Sequence, residues 1–221
     1  MRILYFNCFA GISGDMAMGA LLDLGIDREA FLAELDKLNA DGYEIIISEV
    51  IKYGIKGTDA SVVLKGEPQS AGYHNHRSLA DIEGIIDGSG LSESVKAFSK
   101  KVYREIARAE AKIHGSDEYE VKLHEVGELD SIIDVVGTAI CLEMLRIEKV
   151  FSSVLHDGCG HIECSHGILP VPVPAVLQML AGSGIPLVSE NVRTELITPT
   201  GMALIKCMAS GFGKAPPMIV E

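Results

Sequence analysis

The chain reads as a mixed α/β domain, a mixed sheet with about six or seven helices packed around it. Three observations predict that class. A short apolar run, RILYF at 2–6, is followed by a glycine-containing loop and then a helical pattern from Met16 to Leu24, giving the order strand, loop, helix. Stretches with apolar residues three and four apart, above all Glu93 to His114, alternate with short β-branched runs such as Tyr43 to Val50. The composition, 48% hydrophobic against 23% charged in 221 residues, supplies enough apolar surface for a substantial core. No internal repeat or low-complexity tract divides the sequence, so one domain over 1–221 is expected, with an exposed loop at 65–77.

After the first strand, NCFAGISGD supplies Gly11 and Gly14, which allow close backbone approach beside N–H groups that could hold an anion at the next helix start. The loop has neither the Gly-Lys-Ser/Thr of a Walker loop nor a GxGxxG fingerprint. Asp15 repels phosphate unless a metal lies between, and it is equally a good helix N-cap. Asp27 to Leu38 predicts a second amphipathic helix through Phe31, Leu35 and Leu38. Tyr43 to Val50 and Thr58 to Leu64 predict a hairpin that turns between Gly54 and Gly57. The segment KGEPQSAGYHNHR has turn formers and no apolar period, which predicts a mobile loop. Its His74 and His76, one residue apart on an extended segment, point to the same side and could offer two imidazoles to one metal. Ser78 opens a helix to Asp87 with Asp81 in the capping-box position, and the long helix that follows is scaffold stopped by Gly115.

The densest chemistry lies in LHEVGELDSIIDVVG, 123–137. A helix running from His124 would align His124, Gly127, Glu128, Ser131 and Asp134, with Val126, Leu129, Ile133 and Val136 opposite. Alternatively Asp130 caps the helix and His124 with Glu125 sits on a preceding strand or loop. In both geometries His124, Glu125, Asp130 and Asp134 crowd one helix start, where imidazole and carboxylates shift each other's pKa and can bind metal or move protons. The helix continues through TAICLEMLR and is expected to be central and buried. Val150 to Leu155 is a strand candidate. Beyond it, His156, His161 and His166 alternate with Cys159 and Cys164, a set of metal-ligand types without zinc-finger spacing. Pro170, Pro172 and Pro174 enforce an extended segment that would fix His166, and Pro174 suits the first turn of a helix to Gly182. Ile185 to Val188 predicts a short strand. ELITPTG then leads into a last helix, with the hydroxyls of Thr198 and Thr200 at its start for capping or for an anion.

A formal net charge of -12 argues against nucleic acid or an anionic membrane surface as partner, since both attract clustered Lys and Arg. Five cysteines, an odd number with no signal peptide before them, predict free thiols and a cytoplasmic protein. No apolar run approaches the roughly 18 residues of a membrane span.

Five separated motifs, NCFAGISGDM at 7–16, HNHRSLADI at 74–82, HEVGELDSIIDVVG at 124–137, HGILPVPVPA at 166–175 and TPTGMAL at 198–204, occur in this order over nearly the whole chain. Together they resemble the LarC-type nickel insertion family of nickel-pincer cofactor biosynthesis. Asn7 stands where that family usually has Asp, and Cys159 and His161 lie outside its pattern. The resemblance implies a nickel chelatase, a metal-inserting lyase that places Ni²⁺ into pyridinium-3,5-bisthiocarboxylic acid mononucleotide with consumption of CTP and use of Mn²⁺ or Mg²⁺. It also implies a C-terminal half carrying the CTP site, in cis or as a second chain, so that this chain alone would be incomplete; a homo-oligomer is compatible with it. The site expected on this basis has His74, His76, His124 and His166 on the metal, Asp15, Glu125, Asp130 and Asp134 in catalysis, and Gly11, Gly14, Thr198 and Thr200 at a bound cofactor. Two rivals make different predictions. A metallohydrolase of a phosphorylated small molecule would use Asp15, His124, Asp130 and Asp134 on a hard cation, whereas a non-catalytic nickel carrier would bind metal and no small molecule.

Overall fold

The computed structural model describes residues 1–65 and 77–220, without the side chain of Glu125. In chain order the elements are β1 (Ile3–Phe6), α1 (Gly14–Leu22), α2 (Arg28–Leu35), β2 (Tyr43–Lys52), β3 (Ile55–Leu64), β4 (Arg77–Ser78), α3 (Leu79–Asp87), α4 (Glu93–His114), β5 (Lys122–Leu123), α5 (Leu129–Met144), β6 (Lys149–Ser152), β7 (Leu155–Asp157), β8 (His161–Cys164), β9 (Gly167–Pro170), α6 (Pro174–Leu180), β10 (Leu187–Ser189), α7 (Pro199–Met208) and β11 (Ala209–Phe212). This is a mixed α/β fold with seven α-helices among the described residues. Its strands form several small sheets: a parallel trio in the order β1-β6-β11, the parallel pair β7-β10, and the antiparallel pairs β2-β3, β4-β5 and β8-β9. Among the described residues, no helix is long and apolar enough to cross a membrane.

Helix α5 is the centre of the core because its sequence leaves almost no polar side. Ile132, Ile133, Val135 and Val136 are all fully buried, and they are surrounded by α1, α2, α4 and α7. Gly137 lets that packing close, since a Cβ there would run into the Met18 sulfur of α1. The three-four rhythm of α4 buries Val95, Val102, Tyr103 and Ile106 on one face. It ends as expected at Gly115, in the left-handed conformation at φ +65°. The capping box of α3 is also present: the Ser78 amide donates to Asp81 Oδ2 at 2.8 Å and the Asp81 amide returns to Ser78 Oγ at 3.3 Å.

Four local expectations change. The helix expected over 27–38 is α-helical only to Leu35 and tightens to a 3-10 turn over Asp36–Leu38, ending at Asn39 with φ +54°. The hairpin turns two residues earlier than expected, at Tyr53 and Gly54, both with positive φ as a two-residue turn requires. The strand expected over 150–155 divides into β6 and β7. At the break the Ser153 amide donates to the Phe6 carbonyl, closing the β1 ladder, and Leu155 takes up pairing with the β10 side. His166 is not on the proline-stiffened segment: it occupies the tight turn between β8 and β9, whose last pair is Cys164 with Gly167. The loop expected at 65–77 lies outside the described residues except at its ends, and His74 and His76 fall within the undescribed part.

Candidate metal centre

Three imidazoles meet in space although they come from three separate elements. His114 is the last residue of α4, His124 follows β5 just before a 3-10 turn at Glu125–Gly127, and His166 sits in the β8-β9 turn. Their ring centroids are 5.7 Å apart for His114 and His124, 5.2 Å for His114 and His166, and 4.6 Å for His124 and His166. One nitrogen from each ring lies within 4.8 Å of one from each of the others, a separation that three ligands of one metal ion share. His124 is half-buried and the other two are exposed, so the cluster opens to solvent. It borders a pocket of about 140 Å³ whose apolar wall includes Val126, Ile162, Leu169 and Val173, with Cys164, Glu110 and Glu195 as further polar lining. Glu110 Oε2 stands 3.5 Å from His114 Nε2, one turn back on α4.

Asp130 and Asp134 face a different neighbour. Glu128, not Asp130, is the N-cap of α5, so His124 precedes the helix and belongs to the loop geometry. Asp130 Oδ1 instead accepts the Ser131 amide at 2.7 Å. Asp134, one turn on, meets the loop before α1: a Cβ on Gly14 would lie 2.5 Å from Asp134 Oδ2. Burial pushes the Asp134 carboxyl up to about 8, the charges of Asp15 and Asp130 add to that, and the Asp15 amide donating to it acts in the opposite direction. Asp15 is in the first turn of α1 and does not cap it; Ser13 does, accepting the Met16 amide at 3.4 Å while its hydroxyl donates to the Asp15 carboxylate.

The start of α7 joins the two features. Pro199 lines the histidine pocket, while the next residue, Thr200, is hydrogen-bonded through its hydroxyl to Ser131 Oγ at 3.0 Å, beside Asp130. Tyr103 extends that chain, its hydroxyl donating to Ser131 Oγ at 3.5 Å. Thr198 caps α7, accepting the Gly201 amide at 3.1 Å, and its own amide donates to the Ile12 carbonyl at 3.2 Å. In the N-terminal loop the amides of Gly11 and Ile12 are spent on the carbonyls of Cys8 and Leu196. Gly11 has φ +82° and packs directly on Leu196, which no side chain would allow.

Of the expected residues, then, His124 and His166 come together, Asp15, Asp130 and Asp134 form a second group, Thr200 reaches that second group through Ser131, and Thr198 caps α7. Glu125 by its side chain, and His74 and His76 entirely, lie outside the description. Sequence reasoning missed His114, which reads as the polar end of a scaffold helix; its spacing of ten residues from His124 was the available signal. It also missed Asp157. This fully buried carboxylate accepts the amides of Gly158 at 2.8 Å, Leu196 at 2.9 Å and Ile197 at 3.1 Å, and so fixes the segment that leads into α7. His156, by contrast, is engaged with Glu190 at 2.6 Å, apart from the cluster.

Fold and site together define an α/β protein with a solvent-facing cluster of three imidazoles backed by a partly buried acidic group. Comparison with known proteins is specific: the nickel insertion protein family matches residues 4–221, and the chain belongs to that family. It is 57% identical over its full length to a protein of Acetivibrio thermocellus named pyridinium-3,5-bisthiocarboxylic acid mononucleotide nickel insertion protein, of which it covers 55%. A putative nickel insertion protein of Dictyoglomus thermophilum is 47% identical over all of this chain and 55% of its own length. A protein of Lactiplantibacillus plantarum with the same name as the first is 47% identical over 98% of this chain and 55% of its own. The chain thus spans about half the length of the curated relatives it matches. No solved structure matches it at a significant level.

Proposed function

We propose that this chain takes up Ni²⁺ as a substrate on His114, His124 and His166 and presents it to the pyridinium mononucleotide named in its relatives, as part of a nickel chelatase. The observation that carries this reading is the trio of imidazoles with ligand atoms within 4.8 Å of one another, in a member of the nickel insertion family. Imidazole nitrogen suits nickel, and three ligands leave coordination positions open for the sulfur and carbon donors of an incoming ring. The imidazoles must be neutral to ligate, so protons and nickel compete for the same ring nitrogens. His74 and His76 contribute to capture in this proposal.

Forming a nickel–carbon bond displaces the ring proton, and a carboxylate is needed to take it. Asp134, pushed up to about 8, holds a proton at neutral pH, which leaves Asp130 or Glu125 for the role of base and Asp134 for that of a proton donor. Gly11 and Gly14 leave little room for a phosphate cradle: the Gly11 and Ile12 amides are bonded to the carbonyls of Cys8 and Leu196, and the space at Gly14 is filled by the Asp134 carboxyl, whose charge would repel phosphate when ionised. CTP use, and the Mn²⁺ or Mg²⁺ that accompanies it, is therefore assigned to the further length that the relatives have, in cis or on a second chain.

Calorimetric titration of nickel into the wild type and into His114→Ala, His124→Ala and His166→Ala tests the site. Each variant is expected to lose about tenfold or more in affinity. Unchanged affinity in all three would remove the trio from nickel uptake, and loss only in a His74→Ala/His76→Ala variant would move uptake to the loop. Nickel binding without any binding of the pyridinium mononucleotide would leave a carrier in place of a chelatase.

A further inference from the structure

The β2-β3 hairpin stands apart from the other sheets and has two edges of unequal fate. The β3 edge is covered, because Gly19 of α1 packs so closely on it that a Cβ there would lie 2.8 Å from the Thr58 carbonyl oxygen. The β2 edge has no such cover among the described residues. The two-residue turn makes Lys52 and Ile55 a hydrogen-bonded pair, so the N–H and C=O groups of Tyr43, Ile45, Ile47, Glu49 and Ile51 point away from β3. Among the described residues those groups have no backbone partner. The hairpin tip is apolar and exposed as well, with Ile51 at 73%, Tyr53 at 105% and Ile55 at 76%. A long open edge with such a tip is a template for another strand.

We propose that β2 pairs antiparallel with β2 of a second copy about a twofold axis at Ser48, joining two hairpins into a four-stranded sheet. Charge selects the occupant and the register. Outward-pointing residues must face one another, which allows axes at Ile47, Ser48 or Glu49 near the strand centre. With the axis at Glu49, two identical carboxylates meet, and with the axis at Ile47, Glu44 faces Val50. With the axis at Ser48, Glu44 of each copy faces Lys52 of the other, Ile46 faces Val50, Ile45 faces Ile51 and Tyr43 faces Tyr53, while Glu49, which keeps Lys56 as its partner, stands opposite Ile47. Lys52 has no ionic partner among the described residues, and Glu49 is held by Lys56 at 2.5 Å; Glu44 has Lys65 of its own hairpin at the longer distance of 3.4 Å, with both side chains exposed, so Lys52 of the second copy would add to that pair. The same register covers Ile51 and Tyr53, the exposed tip residues. The pairing is independent of the nickel reading, since none of these residues borders the histidine pocket.

Light scattering on a size-exclusion column, over a range of protein concentrations, is expected to give twice the 23.7 kDa chain mass. Lys52→Glu should weaken association at least tenfold by placing Glu44 opposite a like charge, and the swapped double variant Glu44→Lys/Lys52→Glu should restore it. Ser48→Cys provides a second readout that does not depend on affinity. In a non-hydrogen-bonded pair across the axis the two Cα atoms lie roughly 4.5 Å apart, within disulfide reach. Mild oxidation should therefore link Ser48→Cys into covalent dimers above the wild-type background from the native cysteines, and should not link Glu44→Cys. A chain that stays monomeric throughout would overturn the proposal. So would a dimer indifferent to Lys52→Glu, cross-linking through Glu44→Cys in preference to Ser48→Cys, or a β2 edge that pairs only with a different protein.

Discussion

Replacing Asp134 by Asn tests the acidic group without changing its shape. A carboxyl raised from 3.8 to about 8 binds its proton more tightly in the folded chain than in the unfolded one. Between those values the folded state therefore holds more protons, and stability falls as pH rises, levelling off above about pH 8. At about 1.4 kcal/mol per pK unit the ceiling on this loss is on the order of 5 kcal/mol. Solvent screening at a half-buried site lowers the expectation to about 2 kcal/mol. Asn cannot ionise, keeps an oxygen for the Asp15 amide, and adds an N–H that can donate to the Asp15 or Asp130 carboxylate. Asp134→Asn should then be about as stable as wild type near pH 5 and more stable by about 1–3 kcal/mol at pH 8. Urea unfolding of both proteins at half-unit steps from pH 5 to pH 8.5 reads the difference, and the common titrations of other carboxylates cancel in it. A difference that does not change with pH, or a variant less stable than wild type at pH 8, would refute the buried, proton-holding carboxyl. Asp15→Asn and Asp130→Asn should each shift the wild-type midpoint of this pH dependence downward, by less than the part due to burial, which is the largest cause.

Two further substitutions probe how the site is assembled. Gly201→Ala sets a methyl against the Ile12 backbone carbonyl, which cannot swing aside, so a loss of about 1–3 kcal/mol is expected in denaturant unfolding; a neutral effect would show that α7 can slide on the N-terminal loop. Asp157→Ala strands the three amides of Gly158, Leu196 and Ile197, with an expected cost of about 3 kcal/mol and weaker nickel binding through the displaced Glu195 to Pro199 segment. Full stability in that variant would mean that water replaces the carboxylate.

Features set by neighbours in sequence were the ones legible beforehand. The capping box of Ser78 and Asp81, the end of α4 at Gly115 and the proline opening of α6 each depend on contacts within one turn, and each is found where the residues place it. Register between distant segments was not legible. Which residue caps α5 depends on how His124 is drawn away by the 3-10 turn, with Arg77 Nη1 donating to the Gly127 carbonyl at 3.0 Å from 50 residues upstream. The role of Gly14 is likewise long-range. Sequence reads it as freedom for a ligand to approach, whereas the structure fills the space with Asp134. His114 was invisible for the same reason: nothing within α4 distinguishes a terminal histidine that meets two others from one that faces water.

The contrast between the two groups of residues has a physical basis. The histidines are held by the ends of elements, two of them exposed, so under the proposed function a metal could reach them and leave again without unfolding anything. The carboxylates of α5 sit on a largely buried helix, where the charge of Asp130 adds to burial in keeping the proton on Asp134. A site that had to release its metal would gain nothing from burying the imidazoles, and a proton-holding carboxyl could not be kept near 8 on an exposed turn, because water would restore its ordinary acidity. The start of α7 is the element that both groups share, Pro199 on one side and Thr200 on the other. Its anchoring by Asp157 therefore ties the geometry of the three imidazoles to that of the proton-holding group, although neither contains Asp157 itself.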